Sequence, residues 1–300
     1  MEAPLLTHRD AQCLFVGAVG LAVVGIVGSV VWPEASTWLV AGVGIVGLLA
    51  VQLALFRRMQ AAQEAVAKRL RDGVQHTERQ LEAVTSLYAV LRPSLPLPPF
   101  GGWSITPEIG RLLVAMVLER QPRLIVECGS GVSTLLCAYA LRKIGRGRVV
   151  SLDHEPRFAE QTRTLLSAHG VADWVDVAHA PLVPVEIGGA VWQWYDTASL
   201  KDVDGIDVLI VDGPPGNLQQ QSRYPAVPLL LDRLAPDAII LLDDADRKDE
   251  QAIVQRWLQG VAGFQVVKET VSCRGIVLQR HGVPAASPGA SAAMVGVSTT

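Results

Sequence analysis

The sequence predicts an α/β protein in which a doubly wound, mostly parallel sheet of seven strands follows a two-helix transmembrane hairpin and a helical stalk. Three observations support this prediction. Two long segments near the N-terminus contain no charged residue, and apolar strand-like runs alternate with helical patterns between residues 100 and 282. A glycine-rich stretch, VECGSGVST at 126–134, joins the first of these runs to a helix. Buried strands that alternate with helices form parallel sheets covered on both faces.

The two uncharged segments, residues 11–33 and 35–56, predict a transmembrane hairpin over residues 11–56. A helix of about 20 residues crosses a hydrocarbon layer about 30 Å thick, and both segments are long enough. We expect the turn at Pro33 and Glu34. One alternative is a cleaved signal peptide, whose apolar run would be shorter and would not be followed directly by a second span. The other is a buried hairpin of soluble helices.

Basic residues predict the orientation of the hairpin. Arg9 precedes the first segment, the connecting loop has no basic residue, and five basic residues follow the second segment: Arg57, Arg58, Lys68, Arg69 and Arg71. Lys and Arg accumulate on the cytoplasmic side of membranes. We therefore expect a multi-pass protein of the bacterial inner (plasma) membrane, with a cytoplasmic N-terminus at residues 1–10 and the large remainder of the chain in the cytoplasm.

The composition narrows the classes of function. Half of the residues are hydrophobic and 18% are charged, which is apolar for a soluble protein. The net charge of −3 argues against a nucleic-acid partner. One cysteine lies in a predicted span and three lie in predicted core elements. This pattern suits reduced thiols, not a disulfide framework or a zinc site.

Residues 57–92 predict a helical stalk. Apolar or small residues recur there in steps of three and four, at Met59, Ala62, Val66, Leu70, Val74, Leu81, Val84, Tyr88 and Leu91. This spacing is close to a heptad seam and favours a coiled-coil homodimer through residues 57–92. A helix that lies on the domain or on lipid explains the spacing equally well. The proline-rich stretch PSLPLPPFGG then ends the helix, so that one domain is expected over residues 93–282 and a disordered tail over residues 283–300.

Seven apolar runs predict the strands of the sheet, and helical patterns lie between them. The runs are RLIVEC, RVVSLD, WVDVAH, IDVLIVD, AIILLDD, FQVVKE and GIVLQR. The last two are close enough in sequence to be antiparallel neighbours. Ligands of such sheets bind outside the carboxyl ends of the strands, where the strand order reverses. Five acidic residues lie at or next to the ends of four of these runs: Glu127, Asp153, Asp212, Asp243 and Asp244.

The glycine turn discriminates between ligands. Gly129 and Gly131 permit a close approach of the backbone, but Thr134 stands where a dinucleotide fingerprint would have glycine or alanine, and no P-loop lysine follows. The carboxylate of Glu127 would repel a pyrophosphate, whereas it would attract the ammonium and sulfonium groups of S-adenosylmethionine. Asp153 suits a ribose diol, although nicotinamide-dependent enzymes use the same device.

Six stretches resemble class I S-adenosylmethionine-dependent methyltransferases: PPFGGW, VECGSGVST, VVSLDHEP, VDGPPG, RYPA and LLDDADR. The resemblance covers about residues 95–280, is strongest to a bacterial branch, and implies a Rossmann-like methyltransferase domain. It implies that the E-x-G-x-G turn contacts the methionine part of the cofactor, that the acid after the second strand holds the ribose, and that His179 lies near the adenine. The candidate cofactor residues are Glu127, Gly129, Gly131, Ser133, Asp153, His154, His179 and Asp212.

A second resemblance concerns the acids that follow the later strands. Catechol-type O-methyltransferases carry one Asp and an acidic pair in positions similar to Asp212, Asp243 and Asp244. The resemblance implies a Mg²⁺ site at these three residues, with Asp212 and Asp244 as catalytic candidates. Pro215 replaces the lysine base of those enzymes. Carboxylates that merely line the cleft or cap helices remain the alternative.

Aromatic residues suggest how the cleft closes. The insert EIGGAVWQWYDTASL contains Trp192, Trp194 and Tyr195 and predicts either a lid over the acceptor or a hydrophobic cover on the sheet edge. Trp103 lies where such enzymes close over the cofactor, or else packs against the domain. Arg223 and Tyr224 are further candidates for contact with the substrate.

These features predict an S-adenosylmethionine-dependent O-methyltransferase that acts on a hydroxyl of a membrane-associated small molecule, lipid or glycan. VDGPPG is similar to the D-P-P-Y motif of enzymes that methylate bases, but Gly213 and Gly216 depart from that motif, so we expect no nucleic-acid substrate. A membrane-anchored NAD(P)-dependent oxidoreductase is one alternative. Such an enzyme would be supported by a tyrosine and a lysine four residues apart near the cleft, and this sequence shows no such pair there. A non-catalytic membrane scaffold with a degenerate domain is the other.

Overall fold

The computed structural model describes residues 33–260, 263–270 and 274–280, together with eight isolated positions between residues 17 and 30. The predicted cytoplasmic N-terminus and the predicted tail lie outside the described residues, as does most of the first predicted span. The chain divides into two compact units, Met1–His76 and Thr77–Thr300.

Helix α1, Pro33–Leu91, begins in the first unit and is 59 residues long. Pro33 and Glu34, where we predicted a turn, are its first two residues. Among the described residues, one helical stretch, Ala41–Leu91, is long and apolar enough to cross a membrane, as judged by length and composition. The second predicted span, residues 35–56, lies within α1 and overlaps this stretch, and the hairpin as a whole stays a prediction.

The last turns of α1 belong to the second unit and pack into its core. Ala83, Leu87 and Leu91 are buried at intervals of four residues, on one face of the helix. Leu81 and Tyr88, two positions of the predicted dimer seam, are exposed. Leu91 was also assigned to that seam, and this assignment is wrong because the domain core covers the side chain. The helix ends where the proline-rich stretch begins.

Nine strands follow in the part of the chain that the structure describes: β1 (Leu124–Cys128), β2 (Arg148–Asp153), β3 (Val175–His179), β4 (Leu182–Ile187), β5 (Ala190–Tyr195), β6 (Ile206–Val211), β7 (Leu234–Leu242), β8 (Phe264–Thr270) and β9 (Gly275–Arg280). Seven of them form one sheet in the order β3-β2-β1-β6-β7-β9-β8. β9 runs antiparallel to both of its neighbours, and the other pairs are parallel. The predicted seven-stranded, mostly parallel sheet is confirmed, and so is the antiparallel pairing of its last two strands.

Helices cover both faces of this sheet and are α2 (Pro107–Arg120), α3 (Val132–Ile144), α4 (Pro156–Ala168), α5 (Ala226–Leu230) and α6 (Lys248–Gly260). The Thr106 hydroxyl caps α2 by accepting a hydrogen bond from the Ile109 N–H. One core cluster holds α2, α3, α4 and the end of α1, and a second cluster on the other face holds α5 and α6. The two clusters sandwich the sheet and hold the carboxyl ends of its strands in a fixed arrangement.

The insert between β3 and β6 is a β-hairpin, since β4 and β5 pair antiparallel in a sheet of their own. Trp194 and Tyr195 are fully buried in the second core cluster. For Trp194 the structure therefore matches the predicted hydrophobic cover, not the lid.

Candidate active site

The acidic strand ends meet at the point where the strand order reverses. The chain runs outward from β1 through β2 to β3 and then returns to β6 on the other side of β1. The Asp212 N–H donates to the Cys128 carbonyl (3.0 Å), and the Asp243 N–H donates to the Val211 carbonyl (3.1 Å). The ends of β1, β6 and β7 therefore lie side by side, where doubly wound sheets bind ligands.

The glycine turn lies directly against the end of β6. Gly129 has a φ of +102°, and a Cβ there would lie 3.3 Å from the backbone atoms Asp212 C and Gly213 N. Only glycine allows this conformation and this approach without strain. A Cβ on Gly131 would meet no heavy atom within 4 Å, so the space beside the start of α3 is open.

Glu127 organises the turn from inside the protein. Its Oε2 accepts hydrogen bonds from Thr134 Oγ1 (2.5 Å) and Ser151 Oγ (2.7 Å), and Thr134 Oγ1 also accepts the N–H of Gly131 (2.9 Å). Burial raises the pKa of Glu127, although hydrogen bonds from hydroxyl groups, Ser133 among them, lower it in part. Oε1 is buried and has no hydrogen-bond partner among the described residues. A buried carboxylate with a free oxygen suits a cationic ligand group.

Asp153 lies at the end of β2, and its carboxylate is held by the turn. Oδ2 accepts hydrogen bonds from Ser130 Oγ (2.6 Å) and the Ser130 N–H (3.3 Å), and Oδ1 accepts the Glu155 N–H (3.0 Å). His154 Nδ1 lies 3.8 Å from Asp153 Oδ1. His179 pairs with Asp153 in the strand register but is exposed. Ser130 is not among the residues predicted for the site, although its hydroxyl lies between the two glycines of the turn.

The three acids of the predicted metal set lie together, and one carboxylate oxygen from each lies within 4.8 Å of those of the other two. Arg223 lies among them. Its Nη2 donates to Asp244 Oδ2 (3.1 Å), to Asp212 Oδ1 (3.4 Å) and to the Asp212 carbonyl (3.0 Å), and its Nη1 donates to the Asp243 carbonyl (3.0 Å). Arg223 was predicted as a contact of the substrate, but its side chain is only 4% exposed.

Asp244 is bound by two further arginines. Arg274 Nη2 lies 2.8 Å from Oδ1, and Arg247 Nη1 lies 2.9 Å from Oδ2. The Asp244 N–H donates to Asp243 Oδ1 (2.8 Å). Burial and the nearby charge of Asp244 raise the pKa of Asp243 to about 6. Burial and the charge of Asp243 also raise the pKa of Asp212, against the opposing effect of Arg223.

Tyr195 reaches the cleft from the hairpin. A side chain on Gly213 would collide with its hydroxyl, and its ring lies edge-on to His154 with 6.0 Å between the ring centroids. Burial raises the pKa of Tyr195, and the charges of Cys128, Asp153 and Asp212 raise it further. The phenol therefore lies against Gly213, just after β6, and beside His154, just after β2. From the sequence, Tyr195 is predicted only as part of the aromatic insert and not as a residue of the site.

The other aromatic candidates lie elsewhere. The guanidinium carbon of Arg256 lies 3.8 Å from the ring centroid of Tyr224 and 5.3 Å from that of Trp192. Tyr224 is thus engaged in a cation–π stack and not held open for a substrate. The side chain of Trp103 is 90% exposed and covers no part of the domain.

Residues 126–245 match a family model described as a methyltransferase domain. No curated protein matches the chain. Similar solved structures include the O-methyltransferase TomG from Streptomyces achromogenes, involved in tomaymycin synthesis, in complex with S-adenosylmethionine (20% identity, TM-score 0.46, covering 60% of this chain and 82% of TomG). An O-methyltransferase from Bacillus cereus, in complex with S-adenosylhomocysteine, is 18% identical, with a TM-score of 0.45, covering 67% of this chain and 90% of the other.

The family match begins within β1 and ends just after the paired acids that follow β7. It therefore includes the glycine turn, Glu127, Asp153 and the acids around Arg223. These are the groups that meet at the switch point of the sheet. Residues 126–245 thus match a methyltransferase domain, and the groups of the candidate site lie within the matched segment.

Proposed function

We propose that the chain transfers the methyl group of S-adenosylmethionine to a hydroxyl oxygen, with the cofactor held by the candidate cofactor residues named above. The observation that carries this proposal is the meeting of Glu127, Asp153 and the glycine turn at the switch point between β1 and β6. The bound cofactor supplies a methyl group that its sulfonium charge has already activated.

Glu127 supplies negative charge and an unpartnered oxygen for the cationic part of the cofactor. Asp153, fixed by Ser130, offers carboxylate oxygens to a ribose diol. His154 directly follows β2, and His179 is the last residue of β3. The protein thereby positions the methyl donor, which is the main contribution to an in-line displacement.

Asp212 is the acid that we propose as the general base. Its side chain is 18% exposed, more than the 8% of Asp244, so an acceptor has access to it. Its raised pKa makes it a stronger base than an ordinary carboxylate. Asp212 would accept the hydroxyl proton of the acceptor as the acceptor oxygen takes the methyl group that the bound cofactor would supply.

Asp244 was the second catalytic candidate. Because three arginines bind its carboxylate, we propose that it acts through Arg223 as a positioning residue and does not contact the acceptor. The mechanism uses no step through a metal ion.

We propose a membrane-associated acceptor, such as a small molecule, a lipid or a glycan that carries a hydroxyl. The support is the exposed apolar stretch of α1, followed by Arg57 and Arg58. This arrangement favours a catalytic domain on the cytoplasmic side of the bacterial plasma membrane. We propose no nucleic-acid substrate.

A homodimer through α1 is a further proposal. Met59, Val66, Leu70 and Val74 are exposed apolar side chains on this helix, and a second copy could cover them. Sedimentation of the full chain in detergent tests the proposal. Leu70→Glu should shift the protein to monomer and the matched polar change Gln63→Glu should not, whereas a monomeric parent protein would contradict it.

Calorimetry with S-adenosylhomocysteine and with NAD tests the cofactor. The full chain in detergent, or a chain that begins at Thr77 and so keeps the buried end of α1, should bind the first ligand only. Glu127→Ala and Asp153→Ala should abolish binding, while Glu160→Ala, on the exposed face of α4, should not. Binding of NAD alone would indicate an oxidoreductase, and binding of neither ligand would contradict an enzymatic function.

Transfer of radiolabelled methyl groups to a bacterial membrane extract tests the acceptor class. We expect label in the lipid or glycan fraction and a loss of about 10²-fold or more in Asp212→Asn, the range for removal of a general base. Label that appears in protein or nucleic acid and not in these fractions would exclude the proposed acceptor.

A further inference from the structure

We infer that the guanidinium of Arg223 stands where Asp212, Asp243 and Asp244 would bind a divalent cation, so that methyl transfer at this site requires no metal ion. The inference deepens the proposed function and rests on it, because it treats these acids as the acceptor side of the site. The three acids have the number and type of ligands that Mg²⁺ accepts, and their oxygens are close enough together. The arginine decides whether they are available.

Both carboxylate oxygens of Asp244 and one oxygen of Asp243 already have hydrogen-bond or ion-pair partners. Oδ2 of Asp244 accepts from Arg223 and lies 2.9 Å from Arg247 Nη1, and Oδ1 lies 2.8 Å from Arg274 Nη2. Oδ1 of Asp243 accepts the backbone N–H of Asp244. Mg²⁺ requires oxygen ligands at about 2.0–2.1 Å in near-octahedral geometry, so it could bind Asp244 only after the arginine contacts are broken.

The charge of Arg223 is permanent. Guanidinium groups do not lose their proton in proteins, and this one is buried, with Glu250 Oε1 3.8 Å from Nη1 as a fourth acidic neighbour. A divalent cation among the same acids would lie within a few ångströms of this positive charge and would be repelled.

Arg223 also joins the ends of two strands. It donates to the carbonyls of Asp212, after β6, and Asp243, after β7. Its departure would leave these buried acceptors and the carboxylates unpaired, which is costly. A metal ion could replace its charge but not all of these directed hydrogen bonds. The guanidinium is therefore a built-in cation that orients Asp212 towards the cleft.

A titration of the full chain with Mn²⁺ tests the inference without measuring activity. The protein in detergent is treated with EDTA, and free Mn²⁺ is followed by its electron paramagnetic resonance signal. We expect no stoichiometric site in the parent protein, and less than about a twofold change in affinity for S-adenosylhomocysteine when Mg²⁺ is added. A Mn²⁺ site in the parent protein that disappears in Asp243→Asn would overturn the inference. A parent protein that binds no S-adenosylhomocysteine would instead contradict the proposed function.

Arg223→Gln provides the positive arm of the same experiment. With the guanidinium removed, Asp212 and Asp243 lose their buried positive neighbour, while Asp244 keeps its two half-exposed arginine partners. We therefore expect Mn²⁺ to bind at least about tenfold more tightly than to the parent protein. Asp243→Asn in the same chain should remove the new site, and Arg256→Gln, which alters an arginine outside the acids, should create none. A folded Arg223→Gln protein that binds no Mn²⁺ would overturn the inference. If this variant does not fold, the titration of the parent protein decides.

Discussion

The hydroxyl of Ser130 donates a 2.6 Å hydrogen bond to Oδ2 of Asp153 and thereby ties the glycine turn after β1 to the end of β2. The same hydroxyl lies 3.0 Å from Thr162 Oγ1 on α4. The acid that we assign to the cofactor ribose is thus held in place by the turn that we assign to the methionine part. This hydrogen bond therefore links the two parts of the proposed cofactor site.

Ser130→Ala should weaken binding of S-adenosylhomocysteine by about tenfold or more, because a hydrogen bond to a charged group contributes about 1.5–3 kcal/mol. Isothermal calorimetry measures the effect. The control is Thr162→Ala, which removes the other partner of the Ser130 hydroxyl but leaves its bond to Asp153. Equal losses in the two variants would mean that the coupling does not depend on Asp153.

Glu127→Gln should remove a pH dependence of cofactor binding. The folded pKa of Glu127 is raised above its ordinary value of 4.5 by burial, so the carboxylate becomes protonated as pH falls through that raised pKa. A neutral group attracts the cationic cofactor less. Affinity of the parent protein for S-adenosylmethionine should therefore fall as pH falls through this raised pKa, and the affinity of Glu127→Gln should be weaker and nearly independent of pH.

The raised pKa of Glu127 also makes the stability of the folded protein depend on pH, in the direction opposite to that of cofactor binding. The folded state holds this proton more tightly than the unfolded state, so the contribution of Glu127 to stability falls as pH rises from 4.5 through the raised pKa. Thermal denaturation of the ligand-free protein should show a smaller loss at neutral pH in Glu127→Gln. The exposed Glu160→Gln serves as the control, and identical profiles for the parent and Glu127→Gln would count against a raised pKa.

Gly129→Ala should destabilise the domain by about 1–3 kcal/mol, the cost of an unfavourable backbone conformation. The added Cβ would also lie 3.3 Å from the backbone at the end of β6. Denaturant unfolding measures the loss, and cofactor binding should fall with it. Gly216→Ala is the matched control, because its Cβ would make only ordinary contacts, at 3.6 Å and beyond. A Gly129→Ala protein as stable as the control would show that the turn can move away from β6.

The sheet could be predicted because its strands are continuous apolar runs, which is a local property of the sequence. The hairpin of β4 and β5 was missed, although a signal was present. Gly188 and Gly189 both have positive φ, and two glycines between alternating residues predict a two-residue hairpin turn. The prediction for the insert depended on its aromatic residues and did not use the pair of glycines.

The site was predictable where it follows strand ends and not where it depends on packing. Asp212, Asp243 and Asp244 could be brought together from topology alone. The position of Arg223 could not, because it depends on how the loop before α5 packs under β6 and β7. The spacing of apolar residues in α1 did not determine what covers its apolar face. Periodicity indicated an apolar face but not that Leu87 would be covered by the domain.

The last prediction concerns a buried cluster on the opposite core. His169 Nδ1 lies 2.7 Å from the hydroxyl of Tyr139, which accepts the N–H of Ser94 (3.1 Å). Burial, and then the charge of Arg142, lower the pKa of His169 below 6.5. The unfolded chain therefore binds a proton first as pH falls below 6.5, and stability should decrease from there down to the lowered pKa.

His169→Gln should reduce this acid-dependent loss of stability while costing about 1 kcal/mol at neutral pH, or about 2–4 °C in Tm, for the altered hydrogen bond. Thermal scans at about pH 7.5 and about pH 5.5 compare the two proteins. His179→Gln is the control, since that side chain is exposed at the end of β3. If the parent and His169→Gln lose the same number of degrees on acidification, the buried imidazole is not the group that responds to pH. A smaller loss in His169→Gln alone would assign the response to the cluster that joins Ser94, before α2, to α3 and to the end of α4.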